Sequence, residues 1–219
     1  MILRSILILA VTAVGLCSSG RAQSTTLGER TAGGRYRPPS GVYSVAIPVL
    51  PELGGQVDET EFVVTFRDAF TMHASIACFP MDATQRWENE TRGRRDYLIW
   101  FFTNFVQGDF QQRFPGAAVE SARFIPSVQD GALLTYMLLP GGTMFVERLA
   151  MASGEAPPVA KRGNLLFVRG GHIYVLSIEL AEKVLERRTF NKTVAEEDAM
   201  LEARLSDLLA KMEFTPAKP

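Results

Sequence analysis

Hydrophobic and polar positions begin to alternate at Tyr43. Tyr43, Val45 and Ile47 fall on one row and Ser44, Ala46 and Pro48 on the other, which predicts a strand. A loop with Gly54-Gly55 follows. The runs Phe62–Phe66 and Phe70–Phe79 read as two more strands, with Arg67-Asp68-Ala69 as the turn between them and Pro80 as the stop. The period then changes. Tyr97, Phe101 and Phe105 recur at four-residue spacing, and so do Leu98, Phe102, Val106 and Phe110, so residues 96–114 are a predicted helix with one broad apolar stripe. Asp96 is its expected N-cap, and Phe114-Pro115-Gly116 ends it. The polar row holds Asn104, Gln107 and Gln111, and extending it back one step reaches Trp100.

Strand patterns return over 117–125, 132–139, 143–151, 164–169 and 172–180. Asp130-Gly131 and Gly141-Gly142 mark turns, and Gly170-Gly171 suits a two-residue hairpin loop. Short sequential strands with tight turns predict a mostly antiparallel sheet. Residues 181–192 read as a long loop. Thr193 followed by Glu196 is a capping box, and Leu201, Leu205, Leu208, Leu209 and Met212 supply the stripe of a closing helix. Glu196, Glu197 and Asp198 near its start and Lys211 near its end match the helix dipole.

The N-terminal 22 residues follow another logic. Arg4, the apolar run Ile6–Leu16 and small residues at 18–22 make a secretory signal, with cleavage expected after Ala22. An uncleaved N-terminal anchor is the alternative. Residues 23–40, rich in Gly, Pro, Ser, Thr and Arg, read as a flexible tether. The steady composition of 41–214 is a single α+β domain, and 215–219 are a tail. Such a domain is long enough to bury roughly 70% of its unfolded surface. After cleavage no stable membrane span is expected. The protein is then exported, periplasmic or secreted.

The chain has 219 residues and a formal charge of -1, so no global basic field exists for nucleic acid. The two cysteines and two histidines exclude a disulfide scaffold and a cysteine- or histidine-rich metal site. Loss of the signal removes Cys17 and leaves Cys78, read as a small core residue in Ile76-Ala77-Cys78-Phe79. No G-x-S-x-G elbow, H-E-x-x-H or phosphate-binding glycine loop occurs. His73 falls on the row of Thr71 and Ser75 and is expected to face solvent, with a base paired to Asp68 as the alternative. His172 is a hairpin-edge histidine. Glu88 and Glu90 diverge on a helix. No cofactor is expected.

The densest polar and aromatic stretch is Trp87–Arg95, read as a charged loop before the helix. Trp87, Arg92, Arg94 and Arg95 together with Trp100 are the candidate binding residues, because Trp and Arg most often anchor interfaces. Trp100 either packs beneath the 81–95 loop or marks an exposed contact patch.

The opening strand Gly41–Pro48 and the closing Leu208–Phe214, with a long helix and antiparallel strands between them, resemble the PsbP/Mog1-like α+β sandwich over residues 41–214. The resemblance implies an antiparallel sheet packed with two main amphipathic helices. It also implies an accessory or binding role without catalysis. No family motif is matched position by position, so no functional residue carries over. Three readings follow. One is an exported binding protein for an unknown protein or small ligand. The second is a hydrolase whose site is assembled from distant residues. The third is a carrier with an apolar cavity between helix 96–114 and the sheet.

Overall fold

The computed structural model describes residues 33–145, 159–181 and 192–216. The signal segment with Ala22, most of the tether, residues 146–151 of the expected strand 143–151, most of the 181–192 loop and the end of the tail lie outside these.

Strands β3 (Gln56–Glu59), β4 (Val63–Arg67), β5 (His73–Pro80), β6 (Ala118–Ile125), β7 (Ala132–Pro140), β8 (Val159–Arg169) and β9 (His172–Glu179) form one sheet. Its order is β3-β4-β5-β9-β8-β7-β6, and every neighbouring pair is antiparallel. The β8–β9 hairpin turns on Gly170 and Gly171, whose φ values of 55° and 73° suit the mirror-image turn that matches strand twist. β3 is absent from the sequence reading. It is four residues long, polar, and sits at an edge, so it carries no alternating apolar row to reveal it. β8 starts at Val159, not 164, and residues 143–145 are irregular.

A second, three-stranded sheet joins β1 (Arg35–Tyr36), β2 (Tyr43–Ala46) and β10 (Met212–Phe214). Residues 35 and 36, assigned to the tether by composition, pair with Ala46 and Val45. Tyr36 is buried, and its hydroxyl donates to Glu59 at 2.7 Å. Met212 and Phe214 likewise leave the closing helix and pair with β2.

The helices cover both faces of the large sheet, giving an α-β-α arrangement. α1 (Ala83–Arg92) corrects the expected 81–95 loop. Its Asp82–Gln85 capping box is complete, but its surface is too polar to display an apolar stripe. Gly93, at φ 77°, separates it from α2 (Arg94–Phe101). Asp96 therefore lies within the first turn of α2 and is not its N-cap. A π-helical stretch, Phe102–Gln107, interrupts the predicted helix before α3 (Gly108–Arg113) completes it.

α4 (Val194–Ala210) packs on the opposite face and carries the expected Thr193–Glu196 capping box. Leu201, Leu205 and Leu208 meet Ile76, Phe66, Phe167 and Leu176 there, together with Tyr36 and Tyr43 of the small sheet. Gly163 sets the approach of α4. A Cβ at that position would stand 3.0 Å from Leu205 and 3.2 Å from Leu201. The N-terminal end of α4 is moored by Lys161, which is fully buried. Its ammonium pairs with Glu120, with Glu197 at 2.9 Å and with Asp198 at 2.6 Å. Among the described residues no helix is long and apolar enough to cross a membrane.

Candidate functional site

The face of the sheet beneath α2 and α3 is graded in polarity, and strand register creates the gradient. Side chains alternate along each strand, so every second residue of β4, β5, β9 and β8 points to this face. Phe79 pairs with Ile173, and Ile173 with Val168. One step along, Val63, Ala77, Val175 and Leu166 lie abreast. The next row is Thr65, Ser75, Ser177, Asn164 and Thr135. The last is charged: Arg67 pairs with His73, and Glu179 with Arg162. Four successive rows thus run from aromatic and aliphatic through hydroxyl and amide to ionic.

A cavity of about 300 Å³ lies along this gradient. Phe101, Phe105, Val106 and Phe110 form its roof and Val63, Ala77 and Val175 its apolar floor. The roof includes part of the π-helical stretch. Such insertions re-aim the side chains that follow and recur at functional sites. Phe101 is fully buried, whereas Phe105 is only half-buried, with the two rings 5.0 Å apart.

The hydroxyl row supplies the middle of the floor. Ser177 donates to the Asn164 amide oxygen at 2.7 Å, and the Asn164 amide nitrogen donates to Thr135 at 3.3 Å. Asp109 stands at the rim and pairs with Arg113 at 3.2 Å. Burial raises the Asp109 carboxyl above its usual range, opposed by Arg113.

At the ionic end, Arg162 is buried and donates to the Gly142 carbonyl at 2.7 Å. Its Nε lies 3.6 Å from Glu179. Glu179 accepts from the Thr143 hydroxyl at 2.6 Å and from the Met144 amide at 2.8 Å. Burial raises its carboxyl, and the Arg162 charge opposes that. Arg67 Nε is 3.2 Å from Asp58, an ion pair not angled as a hydrogen bond.

His73 corrects the solvent-facing expectation. It is 4% exposed, because helices cover this face of the sheet as well as the other. Burial, then the charges of Arg162 and Arg67, push its imidazole down to about 3, against a backbone hydrogen bond to Met144. Its Nε2 has no hydrogen-bond partner, whereas Arg67 Nε and Arg162 Nε meet the carboxylates of Asp58 and Glu179 as ion pairs. All three residues line the one cavity. Asp68 is not the partner of an activated His73. Its carboxylate accepts from the amides of Phe70, Thr71 and Met72, which hold its own turn and lower its pKa against the cost of burial.

The candidate residues from the Trp87–Trp100 region are placed differently. Trp87 is 60% exposed on α1, and Arg95 is exposed on α2. Arg92 pairs with Glu88 and stands over the Trp100 ring at 5.4 Å. Arg94 donates to the Val168 carbonyl at 2.7 Å, tying α2 to the sheet. Trp100 is half-buried, 5.8 Å from Tyr97 and 5.3 Å from Phe105. It backs the cavity roof under an arginine of α1, with no loop above it. Sequence reasoning missed Arg67, Arg162 and the hydroxyl row, and it turned His73 to solvent. Their signal was present as Arg67-x-Thr65-x-Val63, His73-x-Ser75-x-Ala77-x-Phe79 and Ile173-x-Val175-x-Ser177-x-Glu179, three strands with one gradient.

Cys78 is a core residue as expected, on the opposite face. Its thiol is pushed up to about 12 by burial, against a hydrogen bond with Tyr174. His172 stands at the hairpin edge beside the Gly170 carbonyl at 2.9 Å.

The arrangement defines an α+β protein with an amphipathic pocket between sheet and helices. Solved structures similar to it include PsbP from the cyanobacterium Synechocystis, at 12% identity and a TM-score of 0.47, over 92% of this chain and 99% of that one. The Ran-binding protein Mog1p of Saccharomyces cerevisiae is similar at 8% identity and a TM-score of 0.48, over 82% of this chain and 94% of that one. Both names belong to the superfamily that the element order resembles. No protein-family model matches the chain, and no curated protein does. The functional reading rests on this chain's own residues.

Proposed function

We propose that this is an exported binding protein that holds a small ligand, apolar in its body, in the pocket between the large sheet and α2–α3. The observation that carries the reading is the pocket itself: an apolar cavity with a few convergent polar groups at one end, which is the usual make-up of a small-molecule site. Binding fits the side chains better than acid-base catalysis. The buried histidine is a weak base, held far below the pKa useful near neutrality. Asp68 is committed to its own turn.

An anilinonaphthalene sulfonate dye tests the pocket directly. The protein should bind it saturably at one site, and Ala77→Phe, which fills the floor, should abolish that binding. Native mass spectrometry of protein purified from its own cell envelope should show a small molecule that leaves on denaturation. Dye binding unaffected by Ala77→Phe, in a variant with an unchanged circular dichroism spectrum, would remove the pocket as the site.

A further inference from the structure

The ions at the polar end of the cavity are already matched to one another. Arg67 is paired with Asp58 at 3.2 Å, Arg162 with Glu179 at 3.6 Å and Arg113 with Asp109 at 3.2 Å. Glu59 accepts from the Tyr36 hydroxyl at 2.7 Å. His73 adds no charge near neutrality, because burial and the two arginines hold its pKa at about 3. An anion entering here meets Asp58, Glu59 and Asp109, and a cation meets Arg67 and Arg162. Either gives up hydration without gaining a counter-charge of its own, which is costly in a covered site. What the cavity offers instead is neutral. Thr65 and Ser75 pair across β4 and β5 in its floor, both half-buried. Their hydroxyls make no hydrogen bond to another described residue. Two residues along β5, on the same face, His73 is 4% exposed and its Nε2 has no partner. A hydroxyl both donates and accepts, so it satisfies Nε2 in either tautomer and suits Thr65 and Ser75 as well.

We infer that the ligand is an uncharged amphiphile with a hydroxyl at its polar end, a long-chain alcohol in chemical class. Its hydroxyl lies among Thr65, Ser75 and His73 Nε2, and its hydrocarbon chain runs under Phe105 toward Phe79. The inference rests on the pocket reading above and adds the head group to it. The Arg67–Asp58 and Arg162–Glu179 pairs close the polar end against ions of either sign. A fatty acid sets its carboxylate beside Asp58 and Glu59. An alkyl amine sets its ammonium beside two guanidinium groups. An ether of the same length brings an acceptor but no donor hydrogen.

Competition for phenylnaphthylamine, the uncharged relative of the sulfonate dye, tests this. The uncharged dye should bind more tightly than its sulfonate. Octanol should displace it about 3- to 10-fold more effectively than heptyl methyl ether, its isostere without the donor hydrogen, which is the usual net worth of a neutral hydrogen bond. Octanoate and octylamine at neutral pH should each bind at least about 10-fold more weakly than octanol, as buried charges without partners do. Thr65→Val with Ser75→Ala should erase the preference of octanol over the ether and keep dye binding, and Ser75→Ala alone should reduce that preference. Asp58→Asn takes the partner from Arg67, so it should raise octanoate affinity about 10-fold and leave octanol unchanged. Equal binding of octanol and the ether by the wild type would overturn the hydroxyl, while the pocket itself stands. Octanoate or octylamine binding as tightly as octanol would overturn the uncharged head group. A hydroxyl preference that survives the double substitution would overturn the place given to it. Octanoate affinity unmoved by Asp58→Asn would overturn the ion pair as the barrier to anions. If wild type and Ala77→Phe bind the uncharged dye alike, the pocket reading fails and this inference with it.

Discussion

Phe101 and Phe105 lie one helical turn apart, and the sequence pattern treats them alike. Their surroundings do not. Phe101 is fully enclosed, so Phe101→Ala should cost about 3–5 kcal/mol. Phe105 roofs an open cavity, so Phe105→Ala should cost less in a urea titration and more in dye affinity. Trp100→Ala separates packing from docking in the same way. The ring sits against Tyr97 and Phe105 beneath Arg92, and a drop in melting temperature is expected. An unchanged melt would return Trp100 to the role of a surface contact. His73 gives a pH signature. The unfolded chain takes up the histidine proton near about 6.5, whereas the folded chain takes it up only near about 3. Below the higher value the unfolded state binds more protons, so stability falls steadily as pH drops through that window. In His73→Phe the urea midpoint should fall less steeply between about pH 7 and pH 4.

At the scale of elements, capping chemistry was legible where it preceded an apolar stripe and missed where it did not. Thr193 and Glu196 announce α4 because Leu201, Leu205 and Leu208 follow in register. Asp82 and Gln85 make the same box, but α1 reads Ala-Thr-Gln-Arg-Trp-Glu-Asn-Glu-Thr-Arg and shows no face. Thr193→Ala and Asp82→Ala should each cost about 1 kcal/mol in denaturant midpoints. The strand pattern located β2, β4, β5, β6, β7 and β9 to within a few residues. It failed at β3 and β1, short edge strands whose pairing is decided by distant partners. The site was less legible than the fold. The alternation rule places His73 on the less apolar row, which holds in the structure, since Ser75 and Ala77 share its side. The mistaken step was to make that row wet. A sheet covered on both faces buries its polar row too, and only register across four strands shows that the polar residues align.

For the whole molecule, the expected export is checked at the N-terminus. Protein recovered from the envelope or medium should begin at or near Gln23, and a form retaining Met1 would count against cleavage. The fold adds a constraint of a different kind. β2 lies near the start of the domain and β10 at its close, yet they are neighbours in one small sheet. The Thr215 hydroxyl also donates to the Gly41 carbonyl, 174 residues away in sequence. This clasp joins the two ends of the domain across the aromatic layer of Tyr43, Tyr174, Phe167 and Phe214. Contacts of such long range form late, because loop closure must come first. The domain therefore cannot lock into its final form until residues 212–215 are free to pair with β2. For the export proposed above, such a delay is an advantage, because a chain that locks late stays threadable through a translocation channel.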